Sequence, residues 1–177
     1  MIRKKIIFIS FIVLVSSLLY AQSDLEKRIS RLPGIVSVEQ IEPDSGYAEA
    51  FRIFIQQLVD HFNQNGEKFI QKFYLSHRDE SLPMVIELDG YNIDYNRPNE
   101  LSEILQCNKI VVEHRYFGES YPENAEWKYL TIEQSANDHH KIIETMKQIY
   151  DGKWITTGIS KGGQTTMYHK YFFPADA

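Results

Sequence analysis

The stretch Lys153-Trp154-Ile155-Thr156-Thr157-Gly158-Ile159-Ser160-Lys161-Gly162-Gly163, KWITTGISKGG, decides how the rest of the chain is read. Its first half is apolar and β-branched, the composition of a strand. Its second half spells GxSxG at 158–162 and leads into a segment able to be helical. A strand that turns sharply into a helix at a serine exposes the hydroxyl as a nucleophile. Small residues at Gly158 and Gly162 let strand and helix approach there without clashes, and Gly163 extends that clearance. Three fixed positions are a weak pattern, which an ordinary turn with a surface serine also satisfies, so the neighbourhood must decide. If Ser160 attacks a carbonyl, the backbone N–H of Lys161 is the expected oxyanion donor. The expected second donor is in the loop after an earlier strand, Glu87 to Asn92, where Gly90 and Tyr91 are the candidates.

Working outward, the preceding residues alternate between strand and helix patterns. Strands are predicted at Met84 to Leu88, Lys109 to Glu113 and Trp154 to Gly158, with helices near Pro98 to Leu105, over Thr131 to Tyr150 and from Lys161. This alternation is the pattern of βαβ units and a mainly parallel sheet. Thr131 is a candidate N-cap with Gln134 three residues on, a capping-box spacing. Ile132, Ala136, Ile142, Ile143, Met146 and Ile149 fall mainly on one face of that helix, which should pack on the sheet. Before this region, Phe51 to Leu58 and Lys68 to Leu75 read as an antiparallel hairpin turned at Asn63 to Gly66. Asp24 to Leu32 is a short amphipathic segment ended by Pro33-Gly34, and an extended stretch follows it. No repeat or linker suggests a second complete domain.

The chain has 177 residues, 43% of them hydrophobic, enough for one domain core. Its net charge of −5 becomes more acidic once Arg3, Lys4 and Lys5 are set aside, which argues against a nucleic-acid partner. Those three residues open a basic, then apolar, segment to Ala21, which is expected to be a signal peptide over 1–21 that directs secretion or periplasmic export. Its apolar run, Ile6 to Tyr20, falls short of the ~20 residues that cross a bilayer, so no stable membrane anchor is expected. The one cysteine, Cys107, precedes an apolar run and is expected to be a buried, inert thiol. His114, His139 and His140 show no metal-ligand spacing, and adjacent helical histidines diverge, so neither metal nor other cofactor is expected.

Several strings in order resemble the secreted tripeptidyl aminopeptidases of serine peptidase family thirty-seven. They are Val112-Glu113-His114-Arg115-Tyr116-Phe117-Gly118-Glu119-Ser120, Trp127 to Thr131, Asp138-His139-His140, and Gly152 to Gly163. Asp89-Gly90-Tyr91-Asn92 looks like that family's glycine-tyrosine loop, with Asp89 in place of glutamate. The EHRYFGES string is also similar to prolyl carboxypeptidase and dipeptidyl peptidase II. The resemblance implies an α/β-hydrolase fold, a mainly parallel sheet with an antiparallel hairpin at its start. It also implies a serine exopeptidase that removes short peptides from the N-termini of peptide substrates, with Ser160 as nucleophile.

A serine nucleophile needs a base, and α/β-hydrolases supply the triad in the order serine, acid, histidine. Downstream of Ser160 stand only His169, nine residues along the same helix, and Asp176. The expectation is therefore that 22–177 is the N-terminal portion of the peptidase domain, inactive alone, with the strand Trp154 to Gly158 left at an exposed sheet edge prone to aggregation. Glu113, Arg115 and Glu119 follow a strand whose C-terminal end should face the active crevice. They could receive a substrate ammonium group, or Glu113 and Arg115 could fix the loop as an ion pair. Two other readings stand beside this one: a secreted esterase or lipase, which would share the elbow but have no reason to carry the acidic EHRYFGES loop, and a catalytically dead binding remnant.

Overall fold

The computed structural model describes residues 22–124 and 126–177, so the signal peptide expected over 1–21 lies outside the described residues. Helix α1 (Asp24–Ile29) precedes three strands, β1 (Ile35–Ile41), β2 (Glu49–Leu58) and β3 (Lys68–His77). Then β4 (Met84–Leu88), α2 (Glu100–Leu105), β5 (Asn108–Val112), a 3-10 turn at Trp127–Tyr129, α3 (Ile132–Met146), β6 (Trp154–Thr157) and α4 (Lys161–Phe172) alternate. The six strands form one mixed sheet in the order β1-β2-β3-β5-β4-β6. Strands β1, β2, β3 and β5 pair antiparallel in turn, two pairings more than the hairpin alone, while β5, β4 and β6 run parallel.

Strand alternation assigns the two faces. Phe51, Ile53 and Ile55 of β2, Phe73 and Leu75 of β3, Met84, Ile86 and Leu88 of β4, and Ile110 and Val112 of β5 join the main core beneath α1 and α3. Each such side chain removed from water contributes about 1.5–3 kcal/mol before entropy is set against it. The opposite face holds a smaller cluster of Tyr74, Ile93 and Val111, and there the buried Glu87 is bonded by Asn99 and Arg97. Cys107 is fully buried, and burial pushes its thiol pKa up, away from nucleophile chemistry.

Thr131 caps α3, its hydroxyl accepting from Gln134 N–H at 3.2 Å. The reciprocal half of the capping box is not made. Gln134 instead accepts from His61 N–H at 2.8 Å and donates to Asp60, tying the helix start to the end of β2. Ile132 is half exposed, whereas Ala136, Ile142, Ile143 and Met146 are buried as the periodicity requires.

Candidate active site

Strand β6 is registered against β4, Thr157 opposite Glu87, so the elbow emerges beside the end of β4 and the loop that follows it. Ser160 has φ 55° and ψ −117°, left-handed backbone that a side chain rarely adopts outside a functional turn. A Cβ on Gly158 would lie 2.3 Å from the carbonyl of Gly162, and one on Gly162 would lie 2.5 Å from the carbonyl oxygen of Leu88. No side chain fits in either place, so these two glycines let β6, α4 and the end of β4 meet at Ser160. Ser160 itself is exposed. Lys161 opens α4, where a backbone N–H has no intrahelical acceptor and the helix dipole favours negative charge.

The side chain of Lys161 has a second task. Its stem crosses Gly90, where an added Cβ would be 2.6 Å away, and its Nζ lies 4.7 Å from the Tyr91 ring centre and 4.6 Å from that of Phe117. Burial lowers the Lys161 pKa, and the charge of Asp89 offsets part of that shift. The N–H groups of Gly90 and Tyr91, expected as the second oxyanion donors, both donate to Asp89 Oδ1, at 2.6 and 3.0 Å. The other Asp89 oxygen pairs with Arg97. These two amides are thus engaged within their own turn rather than free beside Ser160.

The EHRYFGES loop is built around Glu113, which is fully buried. Its Oε1 accepts from Glu119 N–H, Ser120 N–H and the Ser120 hydroxyl at 2.8–3.0 Å. Its Oε2 accepts from Ile93 N–H at 3.0 Å and lies 3.2 Å from Lys72 Nζ. Gly118, at φ 51°, passes directly over this carboxylate, and a Cβ there would sit 2.3 Å from Oε2. Arg115 is also fully buried and donates to both oxygens of Asp138 and to the carbonyls of Leu58, Val59 and Tyr129. Burial opposes charge on Asp138, but Arg115 and His61 hold its pKa below the usual carboxylate value. Glu113 and Arg115 therefore do not form the ion pair with each other that the sequence suggested; each fixes the loop through its own partner, Lys72 and Asp138, and neither keeps a free atom for a substrate. Glu119 differs: its carboxylate is half exposed and bonded by Lys72 at 2.8 Å.

Two further residues border the elbow: His114, which sequence reasoning weighed only as a metal ligand, and Ser135, which it did not single out. Both are buried at the floor of a pocket of about 310 Å³ that also touches Lys161. The only signal for Ser135 was its place four residues after the Thr131 cap, which returns it to the same helix face. His169 lies at a buried contact between α3 and α4, its ring 5.9 Å from that of His139.

Comparison with known proteins gives a consistent result. Over 162 residues the chain is 36% identical to the prolyl tri/tetrapeptidyl aminopeptidase of Streptomyces mobaraensis, matching 91% of this chain and 34% of that protein. It is 29% identical over 147 residues to the lysosomal Pro-X carboxypeptidase of Bos taurus, covering 68% of this chain and 28% of the relative. The chain thus spans about a third of the length of these relatives. Among solved structures, an acetyl xylan esterase from Paenibacillus sp. R4 superposes with a TM-score of 0.54 at 17% identity, over 82% of this chain and 52% of that one. That likeness shows the α/β-hydrolase fold. Residues 20–177 match PS-10 peptidase S37, and the chain belongs to that peptidase family.

Proposed function

We propose that this chain carries the nucleophile side of a serine exopeptidase that releases short peptides, tripeptides above all, from substrate N-termini. The observation that carries this reading is the strained backbone of Ser160 at the strand-to-helix turn of a chain in a peptidase family. A base takes the Ser160 hydroxyl proton as Oγ bonds the scissile carbonyl carbon. The carbonyl oxygen gains the electron pair and is met by Lys161 N–H. Collapse expels the amine, which takes up that proton, and water then releases the acyl group from Ser160 by the same steps.

His169 does not suit the base. Nine residues along α4 place it about 13 Å down the helix axis from Ser160, and its side chain is buried against α3. We therefore assign the base and its acid to the part of the relatives' length that this chain does not span, with 22–177 as the N-terminal part of the domain. Gly90 and Tyr91 then serve as the wall on which Lys161 packs. Glu119, exposed at the edge of its loop, is the candidate partner for the substrate ammonium. The basic and apolar segment before Gln22 supports export, with peptides met outside the cytoplasm.

The test is an assay of the complete protein with free-amine chromogenic tripeptides, their N-blocked forms and short acyl esters. Free-amine tripeptides should be cleaved best, and Ser160→Ala should lower the rate about 10⁴-fold or more. Hydrolysis that survives Ser160→Ala, or a preference for acyl esters, would overturn the reading, and parity of free and blocked peptides would remove the ammonium role of Glu119.

A further inference from the structure

The pocket of about 310 Å³ lies between the first turns of α3 and α4 and shares Lys161 with the elbow. Its walls include Leu130, Ile132 and Tyr168, and its floor is the buried pair His114 and Ser135. The hydrogens on that floor can be assigned. His114 Nδ1 is 2.8 Å from the Arg115 carbonyl oxygen, which can only accept, so Nδ1 carries a proton. On the neutral ring Nε2 is then an acceptor, and its partner is Ser135 Oγ at 3.2 Å. Ser135 Oγ is also 3.1 Å from the Thr131 carbonyl oxygen, but that oxygen already accepts Ser135 N–H at 3.1 Å. Leaving buried Nε2 unpaired is the costlier choice, so the single hydroxyl hydrogen goes to His114. Ser135, which lines the pocket, then keeps acceptor capacity on Oγ.

Burial lowers the His114 pKa, with the bond to the Arg115 carbonyl offsetting part of that and the Lys161 charge adding to it, so the neutral ring is favoured. Lys161 also brings positive charge to the pocket, which disfavours a second cation there.

We propose that this pocket is a substrate side-chain subsite that selects an apolar side chain ending in a neutral hydrogen-bond donor, a hydroxyl above all, which donates to Ser135 Oγ. The proposal rests on the Ser160 reading, because it places the subsite beside that nucleophile. It deepens that reading by naming a side-chain class.

The test uses the complete protein and peptides that differ at one position near the scissile bond, as Tyr against Phe and Thr against Val, scanned on both sides of the bond. At one position the hydroxyl member should have the higher kcat/KM, by about 10–100-fold, since a floor acceptor left dry penalises the isostere. Ser135→Ala should bring that ratio toward one. Independently of turnover, p-cresol added to the unmodified protein should shift the His114 imidazole NMR signals, and toluene at the same concentration should not. Equal rates for both members at every position, a preference that survives Ser135→Ala, or equal binding of p-cresol and toluene would overturn the proposal. Loss of all Ser160-dependent hydrolysis with p-cresol still selected over toluene would sink the peptidase reading and leave the donor pocket standing.

Discussion

Arg115 spends every one of its five N–H donors inside the protein, on Asp138 and three backbone carbonyls. Those carbonyls belong to the end of β2 and to the 3-10 turn before α3, so one side chain ties three segments together. Arg115→Met would strand the Asp138 carboxylate in the interior with only His61, 2.7 Å away, beside it. The expected cost is about 3–5 kcal/mol, read as a shift in the denaturant midpoint of the complete protein. A loss under about 1 kcal/mol would contradict this structural role. The residue types of EHRYFGES were legible in the sequence, but their division of labour was not. A carboxylate and a guanidinium after a parallel strand suit substrate binding and loop fixing equally well. Burial is what separates the two, and for Arg115 it depends on Asp138, 23 positions later, and Leu58, 57 positions earlier.

At the scale of elements, the contact between α3 and α4 carries a polar group without a partner. His139 is buried, and among the described residues neither of its ring nitrogens has a hydrogen-bond partner. His169 Nε2 lies 3.2 Å from Asp176 Oδ2 without hydrogen-bond alignment. Burial lowers the pKa of His139 well below its ordinary value, against a surrounding of His169, Asp138, His114 and Arg115. Burial also lowers that of His169, which faces Asp176, His140 and Lys170. With folded values below the unfolded value of about 6.5, the unfolded chain binds the extra protons. Stability is then complete above that pH and falls as pH drops toward the folded values, by about 1.4 kcal/mol per unit of depression. The melting temperature of the complete protein should fall between pH 7 and 5, and His139→Leu should flatten the fall. An unchanged melting temperature over that range would contradict this account.

The sequence pattern carried α3 to Tyr150, whereas the helix ends at Met146. The overshoot has a physical reason: Ile149 and Tyr150 stay in the core from a tight turn bonded back to Met146, so apolar spacing outlives the helix.

At the scale of the molecule, the alternation of strand and helix made the class of fold legible, because a buried parallel strand and an amphipathic helix have different periods. Strand order was not legible, since it depends on which edges meet in space. Placing β4 between β5 and β6 is what brings the Asp89 loop, the EHRYFGES loop and the elbow to one end of the sheet. The elbow glycines were legible as a spacing, but the engagement of the Gly90 and Tyr91 amides by Asp89 was not, because it depends on which way two peptide planes turn. At that end the elbow presents the exposed Ser160, the candidate nucleophile. The most direct measurement is to treat the complete protein with an organophosphonate that esterifies activated serines and to map the adduct by mass spectrometry. The account predicts about one phosphonate per molecule, on Ser160, with loss of peptide hydrolysis in step with labelling. Labelling at another residue, or full hydrolysis with Ser160 blocked, would contradict it.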